Sequence, residues 1–303
     1  MKEISENRLG ELRTELVDPK FSLIDLMSVG ELLQVMNDND AEVPRAVAQS
    51  LPVIESAIKD ITAHMKRGGR LIYLGAGTSG RLGVLDAAEC GPTFSVSPEE
   101  VIAFIAGGDR ALRFPVEGAE DDTQSAAGQL KSINLNENDS LVGIAASGRT
   151  PYVQGGLEYG LQVGALTISL TCNLNSEISR RVDHAIEIDT GPELLAGSTR
   201  LKAGTAQKLV LNMISTATMI QLGKTFGNLM VDLQITNEKL HDRAIRIIES
   251  ATGANRETSE QALIASNLDV KVAILMLLLN SDADLARERL TASSNRIRDA
   301  LNS

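Results

Sequence analysis

The sequence predicts an α/β fold: a parallel sheet flanked by helices on both faces, with helices before it and a small three-helix bundle after it. Three observations carry that reading. Short apolar runs rich in β-formers recur between residues 71 and 188, most of them closed by Gly or Ser. Helical patterns lie between successive runs, the alternation that builds parallel sheets with right-handed crossovers. Beyond Thr252-Gly253-Ala254-Asn255 the strand pattern is gone, and short helical patterns follow one another.

Residues 1–20 are polar and mixed in charge, and are expected to form an arm. Ser28 is placed to cap a short helix through Glu31, Leu32, Leu33 and Val35 to Met36, which Asn37-Asp38-Asn39-Asp40 ends. From Val43 to Lys66, the residues Val47, Leu51, Ile54, Ile58 and Ile61 recur at helical spacing. They predict one long amphipathic helix, stopped by Gly68-Gly69. Strands are expected at 71–74, 101–106, 141–146 and 166–171, with a more polar fifth at 185–188 suited to a sheet edge. Helices are expected at 80–90, 119–132, 151–163 and 176–182, then a long one from Ser198 to Leu222. A connecting region with Gly223 and Gly227 leads to a helix from Thr236 to Glu249. Patterns at 257–266, 268–279, 282–290 and 293–301 finish the chain. The expected division is therefore an arm and helices over 1–58, the sheet domain over 59–222, a connecting helical segment over 223–250 and the bundle over 251–303.

Composition narrows the partner. The chain is 43% hydrophobic but only 3% aromatic, without Trp, so the core is aliphatic and a base-stacking surface is not expected. A net charge of -11 argues against nucleic acid and anionic membrane, while leaving room for a small anion in one positive cleft. Cys90 and Cys172 have no metal-ligand spacing and read as buried thiols. The longest apolar run, Val272–Leu279, is too short to span a bilayer, and no secretory apolar region follows Met1. A soluble cytoplasmic protein is expected.

Two loops carry chemistry. The first, Gly75-Ala76-Gly77-Thr78-Ser79-Gly80, joins a strand to a helix start, where loop amides and free N–H groups favour an anion. It lacks the acidic residue that a dinucleotide site needs after the second strand, which ends Ala106-Gly107-Gly108. No Gly-Lys-Ser/Thr follows, so it is not a P-loop. The hydroxyls of Thr78 and Ser79, with the backbone at Gly80, suit a terminal phosphate. The second loop, Ser147-Gly148-Arg149-Thr150-Pro151, also ends a buried strand, with Pro151 at a first helical position. Taken alone it is an N-cap pattern. Beside the first loop it reads as phosphate-binding through Ser147, Gly148, Arg149 and Thr150. Ligands in such sheets lie beyond the carboxyl ends of the strands, so loops 75–80, 107–118 and 147–150 are expected to meet.

These two loops, in this order, resemble the SIS (sugar isomerase) family of phosphosugar-binding domains. The runs LGAGTSGRLGVLDAAECGPTF, AGGDRALRFPVEGAEDD, GIAASGRTPYV and STRLKAGTAQKLVLNM are similar to the N-acetylmuramic acid 6-phosphate etherase family. The likeness covers most of residues 20–250, and the tail resembles that family's small UBA-like bundle. It implies a carbon–oxygen lyase of cell-wall amino-sugar recycling. Such an enzyme cleaves the D-lactyl ether of N-acetylmuramate 6-phosphate to N-acetylglucosamine 6-phosphate and D-lactate. It implies no metal and no organic cofactor, a homodimer, and catalytic carboxylates at Glu89, as acid, and Glu120.

The chemistry wants such a pair. C2–H of the open-chain sugar lies next to the C1 aldehyde, so a base can remove it, and the C3 lactyl oxygen departs if an acid protonates it. Water then adds at C3. One acid and one base with separated pKa values serve both halves. Leu82, Leu85, Asp86 and Glu89 fall on one helical face, so Glu89 is expected to be partly buried and protonated. Glu120 sits in Glu117-Gly118-Ala119-Glu120-Asp121-Asp122, which also reads as the acidic first turn of a helix. A helix starting at Ser79 would put Glu89 about 15 Å along its axis, so the phosphate is expected towards Ser147–Thr150, unless the helix starts late or paired chains cross. Lys202 and Arg200 are secondary anion candidates, and His241 a residue for a partner's site in a dimer. Two other functions fit parts of the pattern: a phosphosugar-sensing regulator, with no use for an acid at 89, and a sugar-phosphate isomerase, which would release no lactate.

Overall fold

The computed structural model describes residues 10, 12–233, 235 and 237–302, so part of the expected N-terminal arm, and Thr236, lie outside the described residues. The chain forms two compact units, Met1–Ala87 with Glu99–Ser215 and Ala88–Pro98 with Thr216–Ser303.

The first unit opens with helices α1 (Val29–Asp40), α2 (Val43–Gln49) and α3 (Leu51–Lys66). Ser28 and Glu31 close a reciprocal capping box on α1. The long helix expected over 43–66 is two helices. Pro52 has no N–H for the carbonyl of Ala48, and the chain turns at Ser50, whose Oγ donates to the Glu187 carbonyl at 2.8 Å. Along the chain then come β1 (Leu71–Gly75), α4 (Gly77–Phe94), β2 (Val101–Ile105), α5 (Arg110–Arg113), α6 (Thr123–Ser132), β3 (Ser140–Ile144), α7 (Pro151–Gln162), β4 (Leu166–Thr171), β5 (His184–Glu187) and α8 (Lys202–Gln221), the last residues of α4 and α8 being counted in the second unit.

All five strands are parallel, in the order β2-β1-β3-β4-β5, with β5 at an edge as its polarity predicts. Leaving β1, the chain first steps outward to β2 and then crosses back to β3. That reversal puts a crevice outside the carboxyl ends of β1 and β3, where Gly75 pairs with Ile144. One face of the sheet buries Ile72, Leu74 and Leu141 against Leu130 of α6 and Tyr152, Val153 and Leu157 of α7. On β4 and β5, α3 packs as well.

Several boundaries moved for local reasons. The helix expected at 119–132 begins at Thr123, because the Asp122 carboxylate accepts from Gln124 N and Ser125 N and becomes its cap. Residues Ala119–Asp121 form a 3-10 turn after Gly118 at φ +71. Only another 3-10 turn, Glu177–Ser179, stands where a helix was expected at 176–182. Helix α4 outruns the expected 80–90 at both ends and carries Pro92 within its last turn. Helix α8 starts at Lys202 rather than Ser198, because Glu193 accepts from the backbone N–H groups of Lys202 and Ala203 at 2.9 Å each.

In the second unit a short hairpin, β6 (Thr225–Phe226) with β7 (Leu229–Met230), turns at Gly227-Asn228. Then come α9 (Glu238–Thr252), α10 (Arg256–Ala265), α11 (Val270–Leu279), α12 (Ala283–Ala292) and a short α13 (Ile297–Asn302). Ile245, Ile248, Leu263, Ile274, Leu275 and Leu290 fill its core. Lys271 is buried among them with its ammonium on Asp232 at 2.8 Å and on the Asn295 carbonyl at 3.1 Å. Among the described residues no single helix is long and apolar enough to cross a membrane.

Candidate active site

The strand-to-helix turn after β1 folds back on itself. A Cβ on Gly80 would lie 2.7 Å from the Gly75 carbonyl oxygen and 2.6 Å from Ile105 Cγ1, so only glycine fits there. The turn aims Ala76 and Gly77 into a cavity of about 260 Å³, just under the range of small-ligand sites. Arg81, Val116 and the exposed Glu120 line the same cavity. The loop after β2 thus meets the first glycine loop, as expected, and the 3-10 turn presents Glu120 there.

Three residues of the first loop stand elsewhere. Ser79 is 7% exposed, and its Oγ donates to Gln207 Oε1 of α8 at 2.9 Å, so this hydroxyl joins two helices instead of facing open space. Gly80 is buried, and half-buried Thr78 lies against Gly204 of α8. Arg81 was not foreseen. Its Nε donates to the Leu112 carbonyl at 3.1 Å, which ties α5 to the turn. The one sequence signal for it is a cation directly after the last glycine.

The second loop opens into another cavity of about 260 Å³. Ser147 and Arg149 line it with Asn173, Ser176, Glu177 and Arg180. Ser147 Oγ accepts from Arg149 N at 3.3 Å. Gly148 has φ +71, donates to the Ala145 carbonyl and accepts from Ile178 N at 3.1 Å. Arg149 pairs with Glu177 at 3.4 Å, and Thr150 precedes Pro151 without a side-chain cap bond. So loop 147–150 sits at the neighbouring strand end but does not share the first cavity. Asn173 and Arg180 were missed: Asn173 follows β4 outside any expected element, and Arg180 lies in a stretch read only as a helix. Asn173 Nδ2 donates to the Ala146 carbonyl at 3.0 Å and to Thr14 Oγ1 at 3.1 Å.

Glu89 differs most from expectation. The helix begins early, at Gly77, so Glu89 lies 89 − 77 = 12 positions on, about 18 Å along the axis. It is exposed, not partly buried, and Leu85 is itself 53% exposed. The inward stripe of α4 runs through Gly83, Asp86 and Cys90, with Gly83 and Cys90 buried. That turns Leu85 and Glu89 outward, so the face predicted as one is split at the half-buried Asp86.

Lys202 lines neither cavity. It is 4% exposed, its Nζ donates to Asn39 Oδ1 at 3.1 Å, and burial pushes its pKa down against the pull of Glu193. Arg200 is exposed, and His241 is half-buried near the start of α9. Both cysteines are buried, and burial raises the Cys172 thiol far above its ordinary value. Among the described residues no cluster of His, Cys, Asp and Glu is arranged to hold a metal.

Residues 53–161 match the N-terminal SIS domain of glucokinase regulatory protein, residues 120–217 the SIS domain and residues 227–273 the C-terminal lid domain of glucokinase regulatory protein. Among solved structures, a phosphoheptose isomerase from Francisella tularensis is similar with a TM-score of 0.49 and 16% identity, over 64% of this chain and 100% of that one. The chain is 53% identical to N-acetylmuramic acid 6-phosphate etherase 1 of Bacillus licheniformis, over 98% of each. It is 53% identical to N-acetylmuramic acid 6-phosphate etherase of an Exiguobacterium species, over 97% of this chain and 100% of the relative. With identity of that order along nearly its whole length, the chain belongs to the N-acetylmuramic acid 6-phosphate etherase family.

Proposed function

We propose that the protein cleaves the D-lactyl ether of N-acetylmuramic acid 6-phosphate, giving N-acetylglucosamine 6-phosphate and D-lactate. The observation that carries this is 53% identity with an etherase across 98% of the chain. The sheet supports it with a carboxylate, Glu120, open to a cavity beside the switch between β1 and β3.

In this reading Ser147, Gly148, Arg149 and Thr150 hold the phosphate, with Arg149 exchanging Glu177 for the ester oxygens. Glu89 and Glu120 are the acid and base. One takes the C2 proton, and the C2–H electrons form the C2=C3 bond while the C3–O pair leaves with lactate. The other protonates the departing oxygen. Water then adds at C3, and C2 regains a proton. The backbone at Gly77 and the Thr78, Ser79 and Gly80 turn build the floor. The buried Ser79 acts there through Gln207, as a support.

The protein works as a homodimer in the same proposal. Leu85, 53% exposed one turn before Glu89, supports a second copy covering that face of α4. Pairing would also bring a partner's groups to Glu89, which stands far along its helix from the glycine turn. A cytoplasmic location belongs to the proposal, supported by two cysteines that are both buried in the protein interior. The test is D-lactate release from N-acetylmuramate 6-phosphate by wild type, Glu89→Gln and Glu120→Gln. Either substitution is expected to cut kcat by about 10²-fold or more, the scale of general acid–base catalysis. Wild-type rates in either variant remove that residue from the mechanism. A phosphosugar sensor, the reading favoured by the matches to glucokinase regulatory protein domains, would bind the sugar phosphate and release no lactate.

A further inference from the structure

Asp86 is a carboxylate on the inward face of α4, and nothing in the reaction above uses it. Tyr73 Oη, wholly buried on β1, donates to its Oδ2 at 2.9 Å. Ser215 Oγ on α8 donates to its Oδ1 at 3.1 Å. With the Asn212 amide turned to satisfy both its ends, its nitrogen also donates to Oδ1 at 3.2 Å, while its oxygen accepts from Lys208 Nζ at 2.9 Å. Burial pushes the Asp86 carboxyl up, and these bonds and the Lys208 charge pull the other way. A charge in so costly a place is held from two elements, by Tyr73 of β1 and by Ser215 and Asn212 of α8.

Helix geometry gives that anchorage a consequence. Glu89 follows Asp86 by three positions, so the two Cβ atoms stand about 5–6 Å apart on adjoining strips of α4. Fixing one fixes the azimuth of the other. On the far side of Glu89 the ladder is weaker, since Pro92 has no N–H to give the carbonyl of Ala88. The firm reference for the direction of Glu89 is therefore the turn that precedes it.

We propose that Asp86 is the positioning residue for Glu89: bound by Tyr73, Ser215 and Asn212, it sets the rotation of α4 and so the direction in which the Glu89 carboxyl leaves the helix. The inference rests on the etherase reading and on Glu89 as one of its two carboxylates.

Steady-state D-lactate release from N-acetylmuramate 6-phosphate tests it. Asp86→Ala is expected to lower kcat roughly 100-fold, the cost of an ångström's misplacement of a reacting group, with KM within about twofold because the phosphate loop is untouched. Asp86→Asn keeps the shape and most of the bonds, and is expected to recover kcat to within about tenfold of wild type. In a Glu89→Gln background, Asp86→Ala is expected to add less than about twofold, since it acts through the group already lost. Wild-type kcat in Asp86→Ala, a rise in KM alone, or losses that multiply with Glu89→Gln overturn the inference. If Asp86→Ala fails to fold, Tyr73→Phe, which removes one donor, carries the test. A fall in kcat at constant KM supports the proposal, and an unchanged kcat overturns it. Wild-type protein that releases no lactate overturns the etherase reading and this inference together. Lactate release by wild type with unaltered variants overturns this inference alone.

Discussion

Gly148 shows how a single residue holds the second glycine loop, to which the proposal gives the phosphate. At φ +71 it occupies the left-handed region, and a Cβ there would run into the Ser176 side chain. Gly148→Ala is expected to cost about 1–2 kcal/mol from the backbone alone, with the clash added, and to raise KM for the sugar phosphate. Denaturant unfolding and kinetics check both, and an alanine variant of full stability would contradict the strain argument. Glu120 is the opposite case. It is exposed on a 3-10 turn, so Glu120→Gln should leave the melting temperature within a degree or two while cutting kcat by about 10²-fold or more. An acidic turn of this kind is local and legible in sequence, although the role given to Glu120 came from the family likeness. Ser79 is not: its hydroxyl belongs to Gln207, 128 positions away, and no pattern near either residue announces the pair.

Among the elements, β1 and β3 are pinned at the end away from the site. Asp139 accepts from Arg70 N at 3.0 Å, from Arg70 Nε at 2.9 Å and Nη2 at 2.6 Å, and from Asn136 N at 3.1 Å. Burial opposes its charge, but Arg70 and the backbone donors prevail and hold its pKa below the ordinary value. The folded state thus favours the ionised form. The stability it contributes is present above the unfolded pKa of about 3.9 and is lost as pH falls through the lower folded value. Asp139→Asn is expected to destabilise by about 3 kcal/mol at neutral pH and to flatten the acid limb of the stability profile. An unchanged limb would contradict this assignment, and kcat per folded molecule should stay the same. The strands were legible because buried parallel strands are apolar throughout. Helix ends were less so. In Glu117–Asp122 several carboxylates can cap, and only the turn at Gly118 selects Asp122 and leaves Glu120 facing the cavity. In α4 the sequence Gly91-Pro92 reads as a stop, yet a proline within the last turn costs one bond and the helix runs to Phe94.

For the whole molecule, the alternation of strand and helix was enough to place both loops at the carboxyl ends of a parallel sheet. It was not enough to show that they open into separate cavities, because that depends on how Arg149 after β3 and Glu177 and Arg180 after β4 arrange themselves. Nor did helical spacing show that Leu85 and Glu89 face outward, since a half-buried, hydrogen-bonded carboxylate at Asp86 reverses the usual apolar-inward choice. Light scattering is expected to give the mass of two chains, and Leu85→Asp to shift it to one. A monomeric wild type would remove the second copy from the account. The central claim is elimination followed by hydration, and one measurement addresses it directly: incubation with N-acetylmuramate 6-phosphate in water carrying deuterium and oxygen-18. The account predicts D-lactate without oxygen-18, and N-acetylglucosamine 6-phosphate with deuterium at C2 and oxygen-18 at C3. No lactate, or lactate carrying the heavy oxygen over a sugar unlabelled at C2, would contradict it.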